Sequence, residues 1–374
     1  MSPRLGWVDV AKGLCIVLVV LWHVLTKDLA AGDWGPGQDA IDAWATLSAL
    51  LLPLRMPLFF TISGLLAARA LAEDPPGTVW MRAARWGSLY VVWVLIQTAV
   101  FRLLPGFDTA QAHSWGELLA ELTIQPTNLW YLFALTLYIV VARLTRNLPV
   151  GLVLGTAAVL SGVASMGILP DSENLWQVLQ NLVFFLAAVR LAHVVRALAA
   201  AASVPVLLGA GVAFACATVV VGLFDARHWP GVWVLLCSLA VTTGLALCAL
   251  IDQHLAACAA LLSWLGRRTL PIYVLHMLVL AVFQTAGSGF AGLLRASGSC
   301  AGTSCAGAAG ILTEIPDAVV VALSAIAPLV LTAAAILCCL GVHRVMLWAR
   351  LGALFDPLLV HAALAGRRGT MRRS

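Results

Sequence analysis

The sequence predicts an all-α, polytopic integral membrane protein, with about ten transmembrane helices around a central cavity and both termini cytoplasmic. Three observations predict it. Of 374 residues, 62% are hydrophobic and only 10% charged, with mean hydropathy +0.98, whereas a soluble domain carries about 25% charged residues. Apolar runs of about 20 residues, enough to cross roughly 30 Å of hydrocarbon, recur along the whole chain. Lys and Arg gather on one side of those runs, as the positive-inside rule requires.

The apolar runs place spans at roughly 11–31, 43–71, 84–104, 128–146, 148–169, 175–196, 203–224, 231–251, 262–286 and 317–347. With the N-terminus inside, the inner side collects seventeen of the 22 Lys and Arg: Arg4, Lys12, Arg69, Arg82, Arg85, Arg143, Arg146, Arg190, Arg196, Arg267, Arg268, Arg344, Arg350, Arg367, Arg368, Arg372 and Arg373. The outer side keeps Lys27, Arg102, Arg227 and Arg295, and Arg55 falls within a span. No polar segment is long enough for a separate domain, so 1–374 reads as one membrane domain with a basic tail over about 349–374. The outer segments near 104–127 and 287–316 have room for short interfacial helices. No internal repeat is evident. The N-terminus imitates a signal peptide, but Asp9, Lys12 and His23 on its apolar run favour an uncleaved first helix.

A net charge of +5 with basic residues at span ends fits a membrane surface rather than nucleic acid. Most of the nine cysteines lie in apolar runs. Cys300 and Cys305 sit in a Gly/Ser-rich outer loop and read equally as a disulfide or as two free thiols. No residues stand at metal-ligand spacing, so no metal is expected.

Four stretches carry chemistry. The first stretch, Trp7 to Val24 at the start of the first span, holds Asp9, Lys12 and His23. Eleven helical steps bring Lys12 and His23 onto one face about 16 Å apart, and ionisable groups at membrane depth are costly and usually face a cavity. The second stretch, Pro53-Leu54-Arg55-Met56-Pro57-Leu58-Phe59-Phe60-Thr61-Ile62-Ser63-Gly64, sets an arginine between two prolines, at a depth comparable with His23. Arg55 lines a cavity or pairs structurally with an acid such as Asp9. The third, Trp80 to Trp86, puts Arg82 and Arg85 on one helical face at an inner loop, a phosphate clamp or a topogenic cluster. The fourth runs from Leu265 through Tyr273 to His276, which lies about 12 Å into the membrane as a core or pore-lining residue. Asn128-Leu129-Trp130-Tyr131 opens the fourth span with an aromatic anchor.

In that order, "DVAKG…VLVVLWHV", "MPLFFTISGLL", "LWYLFALTLY" and "TLPIYVLH" resemble the membrane acyltransferase-3 family over about residues 7–285, and most nearly its fucose O-acetylase-like branch. Arg55 and Trp22 depart from that branch, which commonly has His and Gly there. The resemblance implies O-acyl transfer from cytoplasmic acyl-CoA, most simply acetyl-CoA, to a glycan or glycolipid of the cell envelope across the plasma membrane. The family's motif of a basic residue and a histidine maps onto Lys12 and His23, and its RxxR donor motif onto Arg82 and Arg85. The physical reading of the residues adds His23 as general base, Asp9 orienting Lys12 and Arg55 as a candidate for stabilising the oxyanion, completing the catalytic group. Arg82, Arg85 and Lys12 would hold the donor, and His276, Tyr273, Ser63 and Trp130 would line the substrate path. The opening also resembles trehalose mycolate O-acetyltransferases, which implies trehalose monomycolate as an acceptor. A carrier or flippase for a lipid-linked sugar is the alternative for the same residues.

Overall fold

The computed structural model describes residues 5–29, 32, 34–73, 77–104, 106, 107, 109, 111–167, 174–287 and 316–356. Cys300, Cys305 and most of the basic tail lie outside them. Among the described residues the regular structure is entirely helical. It comprises α1 (Gly6–His23), α2 (Gln38–Leu50), α3 (Leu52–Glu73), α4 (Thr78–Phe101), α5 (Trp115–Thr123), α6 (Trp130–Leu144) and α7 (Val150–Ser165). There follow α8 (Leu175–Arg190), α9 (Ala192–Ala200), α10 (Val204–Leu223), α11 (Val232–His254), α12 (Ala256–Gly266), α13 (Thr269–Gly287) and α14 (Asp317–Trp348).

Every predicted span finds helix, but the count is less regular than ten. Six described helices are long and apolar enough to cross a membrane, or up to eight spans if each of two bent pairs counts as one. The apolar helices α6 and α7 are shorter. The predicted 43–71 span divides at Leu51, because Pro53 has no N–H and suits the first turn of a new helix. The predicted 175–196 span bends by 85° between α8 and α9. There Arg190 donates to the carbonyls of Thr145, Arg146 and Leu148, tying the end of α8 to the loop after α6. The third departure is a 75° bend between α12 and α13, at Arg267 and Arg268, so that the ninth span starts earlier than its hydropathy suggests. The outer segment 104–127 does contain a short helix, α5. A capping box starts it: Glu117 N–H donates to Ser114 Oγ at 3.2 Å, while the Glu117 carboxylate accepts from the His113 amide at 2.7 Å. The His113 amide and the Ser114 hydroxyl, which donates to the other carboxylate oxygen at 3.1 Å, hold the Glu117 carboxyl below its ordinary range.

The first helix is the axis of the assembly. It packs against α12, α11, α3, α13 and α14, while α3 also packs on α8, α7 on α8 and α4 on α6. By contrast α10 leans on α11 and has no buried residue, as suits a helix that is apolar all round and surrounded by lipid. Two glycines bring α1 and α12 into backbone contact. A Cβ on Gly13 would stand 2.0 Å from the Leu262 carbonyl oxygen, and one on Gly266 would stand 1.9 Å from the Asp9 carbonyl oxygen. Small residues that let backbones approach are the usual means of helix association in lipid. After His23 the helix widens into a π turn, Val24–Leu29, a form frequent at functional sites.

The contact makes a prediction. Gly266→Val should lower the stability of purified protein by roughly 1–3 kcal/mol, as overpacking does. Gly155→Val, at a glycine with nothing within 4 Å of its virtual Cβ, should not. Thermal unfolding of both variants in the same detergent checks it.

Candidate active site

Lys12 and His23 share a face of α1 yet open onto different cavities. The first cavity, about 470 Å³, is lined by Lys12, Ser63, Arg82, Arg85, Tyr131 and Tyr273 among apolar side chains from α3, α4 and α6. The helical spacing of Arg82 and Arg85 turns both toward it. Lys12 Nζ lies 3.2 Å from Asp9 Oδ1, and Arg267 Nη1 lies 3.9 Å from the other Asp9 oxygen, so one buried carboxylate anchors two cations at this end. Three positive side chains around a half-apolar hollow suit an anionic ligand with an apolar arm.

Asp356 reaches this cavity through Arg85, and nothing in the sequence points to it. Its carboxylate lies 2.7 Å from Arg85 Nη2. The turn before it is seated on α4: Phe355 is buried against Trp93 and His343, and Trp93 Nε1 donates to the Leu354 carbonyl at 2.9 Å.

The second cavity, about 390 Å³, is lined by Trp22, His23, Arg55, Asn128, Trp130, Trp176, Asn181, Trp233 and Tyr273, with others. Arg55 is buried. It donates to Ser48 Oγ at 3.2 Å, and its guanidinium lies 5.0 Å over the Trp22 ring. Among the described residues no carboxylate pairs with it, so the structural pairing with Asp9 is not what holds Arg55; Asp9 faces Lys12 and Arg267 instead. The two departures from the fucose O-acetylase-like pattern, Arg55 and Trp22, are therefore neighbours. The same wall carries polar atoms buried without a partner: both side-chain heteroatoms of Asn128, Oδ1 of Asn181 and Nε1 of Trp233. Leaving such a group unsatisfied costs about 1–3 kcal/mol, so this wall can take hydrogen bonds from hydroxyls or other polar groups, and the indole rings beside it offer an apolar face.

Tyr273 lines both cavities. Its hydroxyl donates to the Asn128 carbonyl at 3.0 Å and accepts from the Tyr131 amide at 3.2 Å. Tyr131 stacks on Phe59, and its hydroxyl is 2.7 Å from Ser63 Oγ. These rings form the partition between the two spaces. His276, one turn beyond Tyr273, is fully buried and lines neither of these two cavities; it lies behind His23, ring centroids 4.9 Å apart.

The structure thus gathers Lys12, Arg82, Arg85, Ser63 and Tyr273 at one cavity, and His23, Arg55, Trp130 and Tyr273 at the other. Asn181, Trp233 and Asp356 were missed. An asparagine inside the apolar run of α8 was the one available signal; Trp233 and Asp356 carry none in the sequence.

Comparison with known proteins agrees with this architecture. The chain belongs to the acyltransferase-3 family, whose model, described as an acyltransferase domain, matches residues 5–342. It is a multi-pass membrane protein of that family. It is similar to the inner membrane protein YcfT of Escherichia coli (strain K12), 30% identical over 171 residues, which cover 41% of this chain and 47% of that protein. The chain thus spans about half the length of the curated relative it matches. No solved structure matches.

The partition yields a second prediction. Tyr273→Phe keeps the ring but removes its two hydrogen bonds, and should cost about 1 kcal/mol for each. Tyr273→Ala should in addition join the two cavities. Thermal unfolding reads the first effect, and leakage of a small hydrophilic thiol reagent across proteoliposomes reads the second.

Proposed function

We propose that this protein moves an acyl group, most simply acetyl, from cytoplasmic acyl-CoA to a hydroxyl of a cell-envelope glycan or glycolipid, and that it does so in the plasma membrane. The observation that carries the proposal is that one helix presents Lys12 to a cationic cavity and His23 to a separate amide- and indole-lined cavity, with Tyr273 common to both. The donor enters the first, its phosphates against Lys12, Arg82 and Arg85 and its pantetheine arm along the apolar wall. Arg and Lys are the side chains that recognise phosphate. Asp9 holds Lys12 in place. The acceptor enters the second, where Asn128, Asn181 and Trp233 meet its hydroxyls and Trp130 its ring face.

Transfer then balances as follows. Neutral His23 takes the proton from the acceptor hydroxyl as its oxygen attacks the thioester carbonyl. Arg55, buried beside His23 with most of its five donors uncommitted, stabilises the negative charge developing on that carbonyl oxygen. The carbon–oxygen bond forms, the carbon–sulfur bond breaks, and the proton on His23 passes to the leaving sulfur to give free coenzyme A. The partition keeps water from the thioester. The name of the E. coli relative supports the inner membrane as the location. The resemblance of the opening stretch supports trehalose monomycolate as the first acceptor to try.

Incubation of purified protein in liposomes with radiolabelled acetyl-CoA and candidate glycolipids tests the proposal. Label should appear on the glycolipid. His23→Ala should lower turnover by about 10²- to 10⁴-fold with donor binding kept. Arg82→Ala should raise the KM for acetyl-CoA by about 10-fold or more with a smaller change in kcat, since a charge-assisted hydrogen bond contributes about 1.5–3 kcal/mol. Glycolipid movement across the bilayer without label transfer would point to the carrier instead.

A further inference from the structure

The two histidines at the partition hold complementary unsatisfied atoms. His276 Nδ1 lies 2.7 Å from the Tyr273 carbonyl oxygen and 3.3 Å from that of Ile272. A carbonyl only accepts, so Nδ1 carries the proton and, in the neutral ring, Nε2 is a bare lone pair. That Nε2 is buried and has no partner. Facing it is the His23 ring, at 4.9 Å between centroids and an interplanar angle of 47°, whose Nδ1 is likewise buried and unpartnered. The rest of the His23 side chain opens to the cavity it shares with Arg55. An acceptor without a donor and a ring nitrogen without a partner, on adjacent buried rings, can satisfy one another when the His23 ring turns to bring them together.

We propose that His276 is the positioning residue for His23: its Nε2 accepts the Nδ1 proton of His23, which leaves the His23 Nε2 lone pair aimed into the acceptor cavity. The backbone carbonyl of Tyr273, His276 and His23 then form a chain in which each group fixes the proton of the next. It is the logic by which a buried third group sets the tautomer of a catalytic imidazole. When His23 takes the acceptor's proton on Nε2, its Nδ1–H remains donated to His276 and no proton need move between the rings. The inference rests on the acyltransferase reading for its kinetic consequence, but the tautomer itself does not. Asp28, with both carboxylate oxygens buried and unpartnered, is the other buried acceptor near His23 in the chain. It follows His23 by five residues on the π turn, but no hydrogen bond or ring contact joins it to His23.

Nitrogen-15 NMR of histidine-labelled protein in nanodiscs tests the assignment without turnover, so its failure is separable from failure of the proposed activity. With His23 identified by its loss in His23→Ala, wild-type protein should show His23 protonated at Nδ1 and bare at Nε2. The opposite tautomer overturns the proposal. For kinetics, His276→Gln restores an acceptor near the position of Nε2, whereas His276→Phe keeps the ring shape without one. His276→Phe should lower kcat by on the order of 10²-fold or more at an unchanged KM for acetyl-CoA, His276→Gln should recover most of it, and Asp28→Asn should stay within about twofold of wild type. Equal losses in His276→Gln and His276→Phe would make the role one of packing alone, and a loss in Asp28→Asn matching that of His276→Phe would assign the orientation to Asp28; either overturns the proposal.

Discussion

A cation inside a bilayer is stable only where carboxylates, carbonyls, aromatic faces or a polar cavity receive it, and this molecule is organised around meeting that demand for four cations. Asp9 receives Lys12 and Arg267, Asp356 receives Arg85, and the Trp22 face with Ser48 Oγ receives Arg55. Each solution leaves donors facing open space. Charges placed this way are partly stabilised by the protein and leave room for an anionic or developing negative group to complete them. The close crossing of α1 and α12 through Gly13 and Gly266 follows from the same demand, because it brings Arg267 to the carboxylate that holds Lys12.

From this comes the division of labour. One helix carries a cation to one cavity and an imidazole to the other, and the Tyr273–Tyr131 partition separates the hollows without filling the space beside His23. In the proposed reaction a thioester and a polyhydroxylated acceptor meet there while water stays out, which strengthens every electrostatic contact at the reacting carbon. Asn128, Asn181 and Trp233 bring polar atoms without partners to the His23 cavity. The Lys12 cavity is instead bordered by ion pairs.

The fold was legible to a considerable degree, since apolar length and the placement of Lys and Arg are local quantities. Every predicted span is helical, and membership of the acyltransferase-3 family agrees with the four stretches in order. The irregularities were not legible. The 85° turn after α8 depends on Arg190 reaching the carbonyls after α6, and such a contact leaves no mark on hydropathy. At the site, Lys12, His23 and Arg55 stood out because charge in an apolar run is conspicuous, and Arg82 and Arg85 because their spacing puts both on one helical face. Asn181 and Trp233 are ordinary near helix interiors, and only the tertiary arrangement turns their heteroatoms toward one cavity. Asp356 stands apart for a further reason: its partner Arg85 is 271 positions away in the chain.

The central claim is that the donor's phosphates and its acyl carbon occupy opposite sides of the Tyr273 partition. An experimental structure of the protein with a non-hydrolysable acetyl-CoA analogue tests it most directly. The phosphates should lie among Lys12, Arg82 and Arg85, with Asp356 displaced or sharing Arg85. The acyl carbon should reach the partition close enough to His23 to admit one acceptor oxygen between them, with that oxygen about 3–3.5 Å from the carbon. An analogue seated with its phosphates on Arg55 among the tryptophans, or with its acyl end pointing away from His23, would contradict it.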